Sequence, residues 1–140
     1  MHLFTYGSLM FDPVWRRVVR GRYRSAPATL SGFRRWRVRG ESYPGLWPGS
    51  DTDRVEGVLY FDIGAADLAA LDRFEGTCYL RQVHDCVVGP AVEPAALYRI
   101  RPGSGHLLEA QPWDADWFAR EGIAQFLQRY RGFMADDAGA

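Results

Sequence analysis

The chain has 140 residues, 47% of them apolar, and balances 17 Arg against 17 Asp or Glu with no Lys, so its formal net charge is zero. That length bounds one domain, spanning 1–140, with room for a sizeable core. Residues 1–40 hold nine Arg against Asp12 alone (+8) and residues 41–140 hold eight Arg against sixteen acids (−8). Two halves that compensate on packing exclude the uniform basic excess of a nucleic-acid binder.

The chain opens on Leu3, Phe4, Thr5 and Tyr6, a short run that predicts a buried strand. It breaks at Gly7-Ser8, and Asp12-Pro13 predicts a short helix with Asp12 as cap and Pro13 first inside, carrying Val14 to Val19 and ending at Gly21. A strand that stops at Gly and feeds a helix leaves backbone N–H groups aimed at one spot, which suits an anion or a developing oxyanion. An ordinary tight turn is the alternative.

Ala26 to Gly40 predicts one long strand or a hairpin. Within it Phe33, Arg35, Arg37 and Arg39 share a face opposite Trp36 and Val38, so the arginines are expected on a solvated face. Glu41 to Asp53, rich in Gly, Pro and Ser and containing Tyr43-Pro44-Gly45-Leu46, predicts a loop. Arg54 to Phe61 predicts a strand whose interior Gly57 marks close approach of another backbone. Asp62 to Phe74 predicts a helix with Gly76 as its left-handed end.

Leu80 to Val88 and Ala91 to Ile100 predict a hairpin turning at Gly89-Pro90, and Arg101 to Pro112 a second loop. Trp113 to Tyr130 predicts helix with a stripe of Ala119, Ile123, Phe126, Leu127 and Tyr130, undivided or split at Gly122, and ended by Gly132. The order is that of an α+β domain with a mixed sheet. Cys78 and Cys86 make no disulfide framework or zinc pattern, the three His stand far apart, and no signal peptide or membrane span is read. The expectation is a cytoplasmic protein with reduced thiols, no metal, and neither membrane nor nucleic-acid partner; oligomeric state is left open.

In the helix before Gly76, Leu68 and Leu71 set an inward stripe that Glu75 continues. An inward carboxylate is costly unless hydrogen-bonded or protonated, and the same burial lifts its pKa toward the range of a general acid–base. If the helix ends one residue early, Glu75 turns to solvent instead.

Tyr6-Gly7-Ser8-Leu9 together with Leu71-Asp72-Arg73-Phe74-Glu75-Gly76 and Tyr79-Leu80-Arg81 resembles the γ-glutamylcyclotransferase family, which includes the AIG2-like proteins. Val55-Glu56-Gly57-Val58-Leu59-Tyr60, Ala96-Leu97-Tyr98 and Tyr43-Pro44-Gly45 are similar to that family's sheet and loop, so the resemblance covers about residues 3–100. It implies a small mixed β-barrel flanked by helices, with a C-terminal helical extension over about 113–132. It also implies that Tyr6, Gly7, Ser8 and Leu9 grip a γ-glutamyl group while Glu75 moves the proton.

The implied reaction folds the substrate's α-amine onto its own γ-carbonyl, giving 5-oxoproline and releasing an amine or amino acid with no cofactor. One carboxyl serves as base and then acid, and the turn's N–H groups hold negative oxygen. Tyr79 and Tyr98 either line the cavity and orient the substrate or belong to the core. Cys78 has no His partner to make it a nucleophile, His84 is a strand-face residue, and Ser8 lacks the Gly-x-Ser-x-Gly elbow. The rivals are a non-catalytic small-molecule-binding or interaction domain that keeps the cavity, and an enzyme acting on another amide.

Overall fold

In the computed structural model, which describes residues 1–129, the opening apolar run forms β1 (His2–Thr5). It pairs antiparallel with β5 (Arg54–Tyr60), Phe4 opposite Leu59, and parallel with β7 (Ala91–Ile100), Leu3 opposite Ala96. Flanked on both sides, β1 buries both its faces, which is why its residues are a continuous apolar run and not an alternation. With β2 (Ser25–Ser31) and β6 (Tyr79–Val88), the strands close into a mixed barrel in the order β1-β5-β2-β6-β7. Phe4, Leu30, Leu59, Cys86, Ala95 and Leu97 pack together in one core cluster. Leu3, Tyr60, Ala96 and Ile100 belong to a second cluster with the helices. The interior Gly57 is required by contact: a Cβ there would stand 2.1 Å from the Thr5 carbonyl oxygen.

A second sheet has the order β4-β3-β8, from β3 (Phe33–Val38), β4 (Pro44–Pro48) and β8 (Leu108–Pro112). It corrects three expectations. Ala26 to Gly40 is neither one strand nor a hairpin, because Gly32, at φ +84°, turns a corner and sends β3 into the other sheet. The two predicted loops each contain a strand, β4 and β8. Both are edge strands, where proline's missing N–H costs no ladder bond. The Gly89-Pro90 hairpin between β6 and β7 forms as expected, in unbroken register from Tyr79 opposite Ile100 to Val88 opposite Ala91.

Helix α1 (Asp12–Val18) starts one residue earlier than read: Phe11 is its cap, without a side-chain bond, and Asp12 lies inside. Trp15 of α1 stacks on Tyr60 at 3.7 Å. Helix α2 (Ala65–Glu75) runs through Glu75 and closes at Gly76, φ +78°. Its buried residues are Asp67, Leu71 and Phe74, so Leu71 of the expected stripe is fully inside while Leu68 and Glu75 are partly buried at its edge.

Helix α3 begins at Ala115–Trp117, capped by Asp114, which accepts from the Asp116 N–H at 2.9 Å. It passes through a π-helical stretch, Phe118–Gly122, and continues as α-helix over residues 123–129. The wider π turn moves the buried face to Phe118, Gly122 and Phe126, leaving Ala119 exposed. Gly122 does not split the helix; a Cβ there would stand 2.7 Å from the Trp117 ring. Tyr130 and Gly132 lie outside the described residues. Among the described residues no helix is long and apolar enough to cross a membrane.

Candidate active site

The site forms where β1 runs out. The Tyr6 hydroxyl donates to the Tyr98 carbonyl of β7, and a bond from the Leu46 backbone reaches the same oxygen. Gly7 follows with φ −134°, so it is needed for space and not for a left-handed turn. A Cβ on it would stand 2.8 Å from Cδ and Cγ of Pro44. The chain then makes a single 3-10 turn, Ser8–Met10, closed by Met10 N–H to the Gly7 carbonyl at 3.0 Å. Among the described residues, no hydrogen bond engages the N–H groups of Gly7, Ser8 or Leu9.

Tyr6, Gly7, Ser8 and Leu9 line one cavity with Glu75 from the end of α2. Tyr43, Pro44, Phe74, Tyr79, Tyr98 and Phe126 of α3 also line it, with Phe126 in ring contact with Tyr43 and Phe74. The room within the cavity is about 30 Å³, enough for a water-sized group and far below the volume of an ordinary ligand pocket.

Glu75 therefore does turn inward. Its carboxyl makes no hydrogen bond among the described residues, and it keeps partial accessibility. Burial lifts its pKa to about 8, with the nearby charge of Asp72 adding to the effect. Among the described residues no other carboxyl lines this cavity.

Tyr79 and Tyr98 both line the cavity, but their protons are committed inside the protein. The Tyr79 hydroxyl donates to the Pro44 carbonyl at 2.9 Å and the Tyr98 hydroxyl to Asp72 Oδ1 at 2.7 Å. Burial, then the bond to Asp72, pushes the Tyr98 pKa far up. Toward a ligand these oxygens act as acceptors.

Asp72 also binds Arg81, at 3.1 Å from Nε. Neither Asp72 nor Arg81 was singled out from the sequence, although Asp72 stands three residues before Glu75, a spacing that places both on one helix face. Arg35, read as part of a wet face, is half-buried and donates to the Tyr6 carbonyl at 2.9 Å. Cys78 and His84 do not line the cavity. Both thiols are free, and burial pushes Cys86 up to about 11. No group of three His, Cys, Asp or Glu able to hold a metal ion is found among the described residues.

Residues 3–117 match the family model described as gamma-glutamyl cyclotransferase, AIG2-like. AIG2-like protein D of Arabidopsis thaliana is 40% identical over 83 residues, covering 59% of this chain and 54% of that protein. The chain spans about half the length of the curated relatives it matches. An Arabidopsis thaliana protein solved in solution superposes with a TM-score of 0.67 at 23% identity, covering 97% of this chain and 91% of its own. A structure named gamma-glutamyl cyclotransferase gives a TM-score of 0.62 at 16% identity, over 72% of this chain and 66% of its own. At such identities the two structures speak for a shared fold. On the match over 3–117, the chain belongs to the γ-glutamyl cyclotransferase, AIG2-like family.

Proposed function

We propose that the protein cyclises a γ-glutamyl group to 5-oxoproline, releasing the amine or amino acid attached to it. One observation carries the reading: a carboxyl without a hydrogen-bond partner, lifted to about 8, lines the same cavity as Gly7, Ser8 and Leu9, whose backbone N–H groups are unengaged among the described residues. A carboxyl poised near neutral pH both accepts and returns a proton with little cost. Glu75 takes a proton from the substrate's α-ammonium. The freed amine nitrogen attacks the γ-carbonyl carbon, whose oxygen gains charge facing the Gly7–Leu9 amides. The bond to the leaving nitrogen then breaks as Glu75 delivers its proton there, and the ring nitrogen's second proton passes to the departing amine, which leaves as an ammonium. The acceptor oxygens of Tyr79 and Tyr98 suit an ammonium. The substrate is a small molecule, and two free thiols agree with a reducing, cytoplasmic setting.

The test is a panel of γ-glutamyl amines, γ-glutamyl dipeptides and glutathione, assayed for 5-oxoproline. Turnover of at least one supports the reading. Binding without product across the panel would instead favour a domain that keeps the cavity without the reaction.

A further inference from the structure

Arg35 is a cation that the reaction above does not use, yet its contacts are not those of a solvated side chain. Its Nη1 donates to two backbone carbonyls, Tyr6 at 2.9 Å and Glu56 at 3.3 Å, and its guanidinium lies 5.1 Å from the centre of the Trp113 ring. Burial lowers its pKa, but a guanidinium remains charged throughout the working range.

The Tyr6 carbonyl shares a peptide plane with the Gly7 N–H. No peptide bond among the described residues is cis, so in this plane C=O and N–H point in opposite directions. A guanidinium holding the carbonyl from one side fixes the N–H on the other, and Gly7 lines the cavity. Glycine's freedom in φ otherwise lets such a peptide turn over easily. A positive charge at the carbonyl oxygen also draws electron density along the amide, which makes the N–H a stronger donor.

We propose that Arg35 is a positioning residue of the site: it locks the Tyr6–Gly7 peptide so that the Gly7 N–H faces the cavity, and it sharpens that N–H for an anionic oxygen of the γ-glutamyl group. The identity of that oxygen rests on the proposed reaction; the locking does not. The second sheet thus has a part in the site, because β3 carries the residue that orients the turn after β1.

The test is amide NMR of the intact protein and of Arg35→Met, Arg35→Gln and Arg35→Lys, titrated with 5-oxoproline. In Arg35→Met the Gly7 cross-peak is expected to move while those of the barrel strands stay in place. Affinity for 5-oxoproline is expected to fall about tenfold or more, the scale of one charge-assisted hydrogen bond. Arg35→Lys, which keeps the charge, restores part of both. If Arg35→Met does not fold, Arg35→Gln carries the comparison, since it keeps N–H donors without the charge. A Gly7 resonance and an affinity unchanged in the folded variants overturn the proposal. A wild-type protein that neither makes nor binds 5-oxoproline removes the proposed reaction, but a Gly7 shift on losing Arg35 still supports the locking.

Discussion

At its two ends, α2 presents a carboxylate inward, and the two meet opposite fates. Asp67, in the first turn, is 9% exposed and accepts three hydrogen bonds: Arg20 N–H at 3.0 Å, Gly21 N–H at 2.9 Å and the Tyr23 hydroxyl at 2.6 Å. Desolvation pushes its pKa up, but the bond from Tyr23 and then those from the two amides outweigh it, and the net shift is downward. Glu75, in the last turn, has no such donors. Desolvation and the charge of Asp72 both raise it, to about 8. Burial alone does not decide what a carboxylate becomes; the donors around it do. Asp67 is a charged anchor that ties the segment after α1 to α2, and Glu75 is left able to exchange its proton.

The largest expected effect breaks the comparison at Glu75. Glu75→Gln keeps shape but not titration, so 5-oxoproline production is expected to fall about 100-fold or more, with ligand binding retained in a calorimetric titration. The sign of its stability effect follows from linkage. With a folded pKa of about 8 against 4.5 for the unfolded chain, the native state binds the extra proton between those values. The contribution of Glu75 to wild-type stability is therefore full below about pH 4.5 and declines as pH rises toward 8. Denaturant melts of Glu75→Gln are expected to lack that decline.

Next comes Asp67→Asn, which places an amide NH₂ or leaves a weaker acceptor where Gly21 N–H and the Tyr23 hydroxyl donate to Oδ2. Stability is expected to drop by about 1–3 kcal/mol with turnover per folded molecule unchanged. Because the folded pKa of Asp67 is depressed, its contribution is present above the unfolded value of 3.8 and lost as pH falls through the folded one. The variant's acid melting limb should be flatter than that of the wild type.

The smallest effect sharpens the comparison. Asp72→Asn removes the second cause of the Glu75 shift and leaves the first, so a carboxyl ¹³C titration of Glu75 is expected to show a midpoint below about 8 but still above 4.5. An unmoved midpoint would assign the whole shift to burial.

The two carboxylates were unequally legible in the sequence. Glu75 stood out because it continues an apolar helical stripe and sits in a stretch that resembles a known family. Asp67 carried no signal, since its donors lie 44 to 47 residues away, in the turn after α1. The same contrast runs through the fold. Strands β1, β5, β6 and β7 announce themselves by apolar runs and a Gly-Pro turn. β4 and β8 are hidden because edge strands tolerate Pro and Gly, the residues that otherwise signal loops. Arg35 was assigned by alternation to a wet face, and what alternation omits is the Tyr6 carbonyl brought to it by the corner at Gly32. The α3 stripe slipped because no 3.6-residue period anticipates a π turn.

Phe126 closes the cavity from a part of the chain beyond residue 117, where the family match ends. The turn, Glu75 and the tyrosines are held by barrel strands and a helix inside that match. Phe126 is held by ring contacts, at 6.0 Å from Tyr43, 6.1 Å from Phe74 and 5.7 Å from Phe118. Ring packing accepts exchanges of similar volume that a strand ladder would not survive. Phe126 is therefore seated by volume and not by register, as a buried part of the core cluster that also holds Phe74 and Tyr98. A chimera carrying another relative's tail would alter the room in the cavity at Phe126 while leaving Glu75 and the Tyr6–Leu9 turn in place, and under the proposed reaction that room would sort substrates by the size of their amine.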